Sequence, residues 1–237
     1  DCQLLLVNKP AGMLSQKADP KDVALNEYLV GYLLESGQVT PESLAGFTPG
    51  VCNRLDRNTS GLVIGAKTLV AAQEMGRLLK ERRAGKYYLA LVKGQVTRKE
   101  RIRGWLAKDE AKNQARISRE PLENGAPIET AYEPLAANKE MTLLKVELVT
   151  GKTHQIRSHL AGIGHPLAGD RKYGDAAFNR YFRETYGLNS QFLHSWQIEF
   201  PVMEPPLDGV SQKTVTAKPP KLFQKILQAE KLSAGGK

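Results

Sequence analysis

A single acidic side chain, Asp56, stands between two arginines in the segment 53–61, which reads Asn-Arg-Leu-Asp-Arg-Asn-Thr-Ser-Gly. The positive charges of Arg54 and Arg57 favour the ionised form of this carboxyl group. An ionised carboxylate is a competent nucleophile that forms covalent intermediates in several classes of enzyme. The hydroxyl of Thr59 can bond to the backbone and fix the loop. Taken by itself, the segment also fits an ordinary surface cluster of ion pairs.

A pair of tyrosines stands in a second segment, 86–94, which reads Lys-Tyr-Tyr-Leu-Ala-Leu-Val-Lys-Gly. Alternation along a strand places Tyr88 and Ala90 on one face, and Tyr87 and Leu89 on the other. One tyrosine can therefore face a cleft, where its ring offers a stacking platform for a nucleic-acid base. Both tyrosines can equally well be packing residues of a sheet.

A third segment, 151–174, combines histidines, an arginine and several glycines. On a helix, His154 and Arg157 lie on one side, while Ile156 and Leu160 can face the core. An arginine held on a helix can bind a carboxylate or a phosphate through two parallel hydrogen bonds. The alternative interpretation is a solvated polar helix face.

The composition favours a polyanionic partner, because 34 Lys+Arg against 25 Asp+Glu give a net charge of +9. A generic basic protein has the same balance. Hydrophobic residues make up 41% of the chain, enough for a core, with no apolar run of membrane-spanning length and no secretory leader. The two cysteines and four histidines show neither zinc spacing nor an HExxH pattern. We therefore expect no metal site and a reducing, cytoplasmic setting.

Strand and helix patterns mix along the chain without a steady β-α-β rhythm, which predicts an α+β fold with a mixed, mostly antiparallel sheet. We expect one domain over 1–232 and a disordered tail over 233–237. Because the chain enters an apolar strand almost at once, we also expect that it lacks an upstream segment. The predicted strands are 3–8, 62–66, 87–92, 101–106, 115–118, 129–132, 142–149 and 191–200, and the predicted helices are 23–34, 69–83 with a C-cap at Gly85, 154–161, 179–185 and 221–231, with a loop over 38–50.

Together and in this order, the three segments closely resemble the RluA family of pseudouridine synthases. The family pattern is an H-R-L-D-x-x-T-S-G loop, a K-x-Y-x-A-x-V-x-G strand and a G-x-T-H-Q-I-R-x-H-L-x-x-x-G-H-P-L-x-G-D-x-x-Y-G segment. The resemblance covers roughly 3–200 and is closest to members that modify large-subunit ribosomal RNA. It departs from the pattern at Asn53, where the family usually has His, and this puts in doubt a role of that side chain in shaping the loop.

The resemblance implies a pseudouridine synthase fold whose helices and loops flank the sheet around a central basic cleft. It implies an enzyme that breaks the N1–C1′ bond of uridine, turns the uracil and joins C5 to the sugar, without metal, nucleotide or redox cofactor. Asp56 would be the catalytic carboxylate, Tyr88 would stack on the target base, and Arg157 would pair with Asp56 and orient it. Whether Asp56 attacks C1′ or first removes the C2′ proton stays open. The residues expected to bind RNA are Arg54, Arg57, Thr59, Lys86, His154, Gln155 and Leu193.

Several alternatives stay open beside this hypothesis. The sister RsuA-type group resembles R-N-R-Q-V-R-R-M where this chain has Thr-His-Gln-Ile-Arg-Ser-His-Leu over 153–160, which argues against it. The target can also be transfer RNA or small-subunit ribosomal RNA, or the chain can be a silent RNA-binding assembly factor of the same fold. Family members often carry an S4-type RNA-binding domain ahead of the catalytic part, and none is visible in this chain. We expect a monomer.

Overall fold

The computed structural model describes residues 2–109 and 114–232. The predicted tail over 233–237 lies outside the described residues. The chain forms two compact units, each built from two stretches of sequence. Unit 1 comprises 1–85 and 197–218, and unit 2 comprises 86–196 and 219–237. The prediction of a single domain over 1–232 stays a prediction.

Unit 1 is a small antiparallel sheet with helices. Strand β3 (Ser60–Ala66) is buried along its whole length and pairs with β1 (Leu4–Lys9), from Leu4 opposite Ala66 to Lys9 opposite Gly61. The short strand β2 also pairs with β3, and residues 197–199 pair with β10. Its elements are β1 (Leu4–Lys9), α1 (Leu25–Glu35), α2 (Pro41–Gly46), β2 (Gly50–Val51), β3 (Ser60–Ala66), α3 (Leu69–Lys80), a 3-10 turn (Asp208–Val210), β10 (Thr214–Thr216) and the last three residues of β9 (Leu193–Glu199).

The helices of unit 1 form where apolar residues recur at helical spacing. Helix α1 buries Leu25, Leu29 and Leu33, which lie four residues apart on one face. Helix α3 begins after Thr68, whose hydroxyl accepts a hydrogen bond from the backbone N–H of Ala71. Its buried side chains join the strands in one apolar core.

Unit 2 holds a longer antiparallel sheet, whose strands lie in the order β4 (Gly85–Lys93), β8 (Met141–Leu148), β7 (Ala126–Ala137), β5 (Glu100–Asp109) and β6 (Gln114–Ser118). Leu89 and Leu91 of β4 join an apolar core with aromatic residues, including a stacked pair formed by Phe192, just before β9, and Phe223 of α6 (Lys221–Ala229). Its elements are β4 (Gly85–Lys93), β5 (Glu100–Asp109), β6 (Gln114–Ser118), β7 (Ala126–Ala137), β8 (Met141–Leu148), α4 (Gln155–Gly162), α5 (Ala176–Tyr186), the first four residues of β9 and α6 (Lys221–Ala229).

Most elements predicted from the sequence are confirmed within a few residues, and the α+β class is confirmed. Two predictions about local structure are wrong. The loop predicted over 38–50 contains α2 and the start of β2. Gly85 is not a helix cap, because α3 already ends at Lys80 and the left-handed residue after it is Arg82, with φ 59°. In the part of the chain that the structure describes, no helix is both long and apolar enough to span a membrane.

Candidate active site

Asp56 lies in the loop between β2 and β3 of unit 1, where it is half-buried. The arginines on either side, Arg54 and Arg57, are exposed, whereas Thr59 is buried. The backbone N–H of Thr59 donates to the carbonyl of Asp56 at 3.0 Å, which closes the loop into a turn. The N–H of Gly12 donates to the carbonyl of Arg57 at 2.8 Å. Backbone hydrogen bonds therefore hold the loop that carries Asp56.

Lys9, at the end of β1, is fully buried and binds the backbone of the same loop. Its ammonium group donates to three backbone carbonyls, those of Pro10 at 3.0 Å, Met13 at 2.8 Å and Arg57 at 3.1 Å. An ammonium group has three donors, so these contacts use all of them. Burial lowers the pKa of Lys9 from 10.5 to about 8, and the negative charge of Asp56 partly opposes this shift. The positive charge of Lys9 thus lies close enough to interact with the carboxylate of Asp56.

The stretch before Asp56 is fixed by two further polar side chains. The hydroxyl of Ser15 donates to the carbonyl of Leu55 and accepts from its N–H, both at 3.0 Å. The amide of Asn53 donates to the carbonyl of Leu62 at 3.3 Å and accepts from the N–H of Ile64 at 2.7 Å. Asn53 therefore ties the loop to β3, which answers the doubt raised by the missing family histidine.

The second segment forms β4 of unit 2, and its two tyrosines differ in environment. Tyr88 is buried, with 5% of its surface exposed, and stands opposite Val146 in the sheet. Tyr87 is half-buried on the other face, where the ammonium group of Lys145 lies 4.4 Å from its ring centroid. Lys86 is half-buried at the beginning of the strand. The strand therefore gives the two rings opposite faces, as the alternation predicted.

Arg157 lies on α4, where residues 155–160 are all buried, so the solvated-face interpretation is wrong. Its guanidinium donates to both carboxylate oxygens of Asp170, from Nε at 2.7 Å and from Nη2 at 2.9 Å. One of these oxygens also accepts from the N–H groups of Lys172 and Tyr173. Burial alone would raise the pKa of Asp170, but these donors and the arginine charge hold it below its ordinary value.

Gln155 is buried, and its amide makes four hydrogen bonds within unit 2. The oxygen accepts from the hydroxyl of Thr150 at 2.8 Å and from the N–H of Lys152 at 3.1 Å. The nitrogen donates to the carbonyl of Glu129 and to the hydroxyl of Thr130, both at 3.0 Å. An amide with both ends occupied has little left to offer a ligand. This favours a positioning role for Gln155 over the predicted contact with RNA.

The remaining predicted residues of unit 2 are His154 and Leu193. His154 is half-buried at the N-terminus of α4, and its Nδ1 lies 2.9 Å from the hydroxyl of Tyr173. Leu193 begins β9 and is buried, with 4% of its surface exposed.

The predicted site residues fall into two groups. Unit 1 holds Arg54, Asp56, Arg57 and Thr59 in one loop, and unit 2 holds the others. The predicted pairing of Arg157 with Asp56 stays a prediction. Three residues that contact these groups were not predicted from the sequence: Lys9 in unit 1, and Asp170 and Tyr173 in unit 2. The available signal was the Asn-Lys-Pro-Ala-Gly opening for the first, and the Gly-Asp-Arg-Lys-Tyr-Gly run for the other two.

Comparisons with known proteins agree with these features. A family model described as RNA pseudouridylate synthase matches residues 3–162. The ribosomal large subunit pseudouridine synthase D of Nitrosomonas europaea is 36% identical over 208 residues, which are 84% of this chain and 56% of that protein. The ribosomal large subunit pseudouridine synthase C of Haemophilus influenzae is 38% identical over 201 residues, 84% of this chain and 58% of that protein.

A solved structure has the same fold. The structure of the human RNA pseudouridylate synthase domain containing 4 aligns with a TM-score of 0.75 at 20% identity, over 98% of this chain and 91% of that chain. The two curated relatives are longer, and this chain spans less than two thirds of each of them.

Proposed function

Since the chain belongs to the RNA pseudouridylate synthase family, we propose that it isomerises uridine in RNA to pseudouridine, with Asp56 as the catalytic carboxylate. The observation that carries this proposal is the construction of the Asp56 loop. A half-buried carboxylate stands on a backbone that Lys9, Ser15 and Asn53 hold in place, beside two exposed arginines. A carboxylate fixed in this way loses little freedom when it meets a sugar carbon or proton.

The reaction exchanges one bond to the sugar for another. The N1–C1′ bond breaks, C5 bonds to C1′, the proton on C5 leaves to solvent, and N1 takes up a proton from solvent. Asp56 acts either by attack on C1′ or by removal of the C2′ proton, and both routes need the unprotonated carboxylate. In this proposal, Arg157 pairs with Asp56 and orients it. Because Nε and Nη2 of Arg157 are bound to Asp170, the guanidinium has a fixed orientation from which to do so.

The target base must leave its stack before it can react, at a cost of a few kcal/mol. We propose that Tyr88 stacks on the uracil and recovers roughly 1–3 kcal/mol of this cost. The exposed side chains of Arg54 and Arg57 suit contacts with phosphate, which would offset the remainder. Thr59, Lys86, His154 and Leu193 stay candidates for contact with RNA.

The relatives support a particular RNA. Several are named ribosomal large subunit pseudouridine synthase C or D, so we propose large-subunit ribosomal RNA as the substrate. The test is to map pseudouridines in ribosomal and transfer RNA from cells with and without the gene. Sites lost only from transfer RNA would contradict this choice of substrate. The cytoplasmic setting and the monomeric state stay predictions.

The Asp56→Asn variant tests the catalytic assignment, because it keeps the shape of the side chain and removes its charge. Tritium release from ribosomal RNA labelled at C5 of uridine should fall by at least about a thousandfold, as is typical when the central catalytic group is removed. RNA affinity should stay within about threefold. Asp208→Asn, which changes another carboxylate of unit 1, should keep full activity and serves as the control.

Two outcomes would contradict the proposal in different ways. Equal tritium release from the wild type and Asp56→Asn would show that another group performs the catalysis. RNA binding by the wild-type protein with no release from any ribosomal or transfer RNA would favour the silent assembly factor.

A further inference from the structure

Tyr173 joins three parts of unit 2 through one side chain. Its hydroxyl accepts a hydrogen bond from the backbone N–H of Ala115, at 2.6 Å, and lies 2.9 Å from Nδ1 of His154. Its ring meets the ring of His154 edge to face, with centroids 5.6 Å apart. The guanidinium carbon of Arg157 lies 5.2 Å from the centroid of the same ring. Tyr173 therefore contacts both His154, the residue before α4, and Arg157, in the first turn of that helix.

The contact with Arg157 complements the one that Asp170 makes. Asp170 binds one edge of the guanidinium through two parallel hydrogen bonds, which fixes the group in its own plane. The ring of Tyr173 lies against the guanidinium within the range of a cation–π contact. An edge contact and a ring contact together define the orientation of the group more closely than either contact alone.

The contact with His154 acts on the first turn of α4. His154 has a left-handed backbone, with φ 57° and ψ 14°, which is strained for a side chain of this kind. It is the residue before α4, and its carbonyl accepts from the N–H of Ser158 at 2.9 Å. The hydrogen bond and the ring contact from Tyr173 hold His154 in this conformation, and with it the turn from which Arg157 projects.

The contact with Ala115 brings in the hairpin formed by β5 and β6. Ala115 lies on β6, the last strand in the order of unit 2. The same hairpin also packs along α4 further on, where a side chain at Gly104 would lie 3.7 Å from Nε2 of His159. A side chain at Gly162 would likewise lie 4.0 Å from Ile117. The hairpin therefore lies against α4 at His159 and Gly162, and it reaches the residue before α4 through Tyr173.

We propose that Tyr173 is a positioning residue that sets the orientation of Arg157 and couples it to the β5–β6 hairpin. The proposal rests on the function proposed above, because it gives Arg157 a role in the reaction. When an RNA substrate contacts the hairpin and shifts Ala115, the hydroxyl of Tyr173 shifts with it. Because the same hydroxyl contacts His154, the beginning of α4 moves as well. The rate of the chemical step therefore depends, through Tyr173, on the position of the hairpin.

Two substitutions separate the hydroxyl from the ring. Tyr173→Phe removes the link to Ala115 and His154 and keeps the ring beside Arg157, so kcat should fall about tenfold. Tyr173→Leu removes both contacts, and kcat should fall about a hundredfold, the size of loss that a displacement of about 1 Å can cause. In both variants KM should change by less than about threefold. Tyr186→Phe, which removes a comparable hydrogen bond to Glu230 elsewhere in unit 2, should keep the wild-type kcat.

A spectroscopic readout tests the proposal independently of activity. The Nε–H resonance of Arg157 in ¹⁵N-labelled protein should move in Tyr173→Phe, and it should move further or broaden in Tyr173→Leu. The ¹⁵N resonance of His154 Nδ1 should move in both variants. A wild-type protein inactive on every RNA would refute the proposed function, and the resonances would then decide on Tyr173 alone. Unchanged resonances in both variants, or equal losses of kcat in Tyr173→Phe and Tyr186→Phe, would overturn the proposal.

Discussion

At the scale of single residues, Lys9 links the stability of the protein to the geometry of its candidate catalytic loop. A buried ammonium group is costly unless its donors are satisfied, and three backbone carbonyls satisfy this one. One of these carbonyls belongs to Arg57, the residue that follows Asp56. The hydrogen bond from Lys9 to Arg57 therefore both satisfies the buried ammonium group and fixes the loop that carries Asp56.

The pH dependence of stability gives a test of this role. Because the pKa of Lys9 is about 8 in the folded protein and 10.5 in the unfolded chain, the unfolded chain binds more protons between these values. Stability contributed by this residue therefore rises as pH increases from about 8 towards 10.5. From about pH 7.5 to about pH 9.5, the free energy of unfolding should rise by about 2 kcal/mol more in the wild type than in Lys9→Met. Urea denaturation of both proteins measures it, and parallel pH profiles would show that Lys9 does not titrate there.

Single residues could be predicted from the sequence where they belong to a long motif. Asp56 and Arg157 were identified because their segments together resemble a family pattern, whereas each segment alone also fits an ordinary polar surface. Lys9 escaped because a lysine at a strand end is ordinarily exposed, and its acceptor at Arg57 lies 48 positions away. Asp170 escaped for a similar reason, because only the folded chain brings it to Arg157. The partners of a charged residue depend on the fold, so they could not be predicted from the sequence alone.

At the scale of elements, the turn that carries Asp170 is built by glycines at both ends. Gly169 has φ 75°, and a side chain there would meet the carbonyl oxygen of Ser190 at 2.2 Å. A side chain at Gly174 would meet the carbonyl oxygen of Asp170 at 2.1 Å. Neither neighbour is a flexible side chain that could move away. The turn can therefore be this tight only with glycine at these positions.

Gly169→Ala tests this construction, and Gly187→Ala is its matched control. Gly187 has a nearly identical φ of 73° but no atom within 4 Å of the added carbon. In Gly187→Ala, the free energy of unfolding should fall by about 1 kcal/mol, the cost of a left-handed backbone at alanine. Gly169→Ala adds a clash with the backbone, so its free energy of unfolding should fall by at least about 2 kcal/mol more than that of the control. Urea denaturation measures both losses, and equal destabilisation would mean that the Ser190 backbone moves freely.

Elements were predictable from the sequence where packing imposes a period. The clearest strand prediction, 142–149, follows from alternating apolar residues, and β8 occupies Met141–Leu148. Helix α2 was missed because none of its six residues is buried, so no apolar period marks it. Its signal was local: Thr40 accepts from the N–H of Ser43, and Pro41 occupies the first helical position. Gly85 misled because a glycine after a helix usually marks its end, whereas here it begins β4.

At the scale of the whole molecule, the positive charge is divided unequally between the two units. Residues 1–85 and 197–218 carry 12 Lys+Arg and 12 Asp+Glu, so unit 1 is neutral. Residues 86–196 and 219–237 carry 22 Lys+Arg and 13 Asp+Glu, which places the entire net charge of +9 in unit 2. The net charge was readable from composition, but its division was not, because the units are assembled from separate stretches of chain.

This division predicts that unit 2 supplies most of the electrostatic attraction to RNA. Lys152 and Arg171 are exposed cations of unit 2, and Lys21 and Lys80 are exposed cations of unit 1. Replacing the unit 2 pair with glutamine should weaken binding to a large-subunit ribosomal RNA fragment by at least about tenfold at about 0.1 M salt.

The dependence of affinity on salt separates phosphate contacts from other losses. In the unit 2 pair, the slope of the logarithm of affinity against the logarithm of salt concentration should become shallower by about 2, since each lost phosphate contact removes about 1. The unit 1 pair should keep affinity within about twofold and leave the slope unchanged. Because both pairs remove two positive charges, a simple effect of net charge would weaken binding equally in the two variants. Equal weakening would therefore show that the affinity for RNA depends on the net charge of the whole protein rather than on the cations of unit 2.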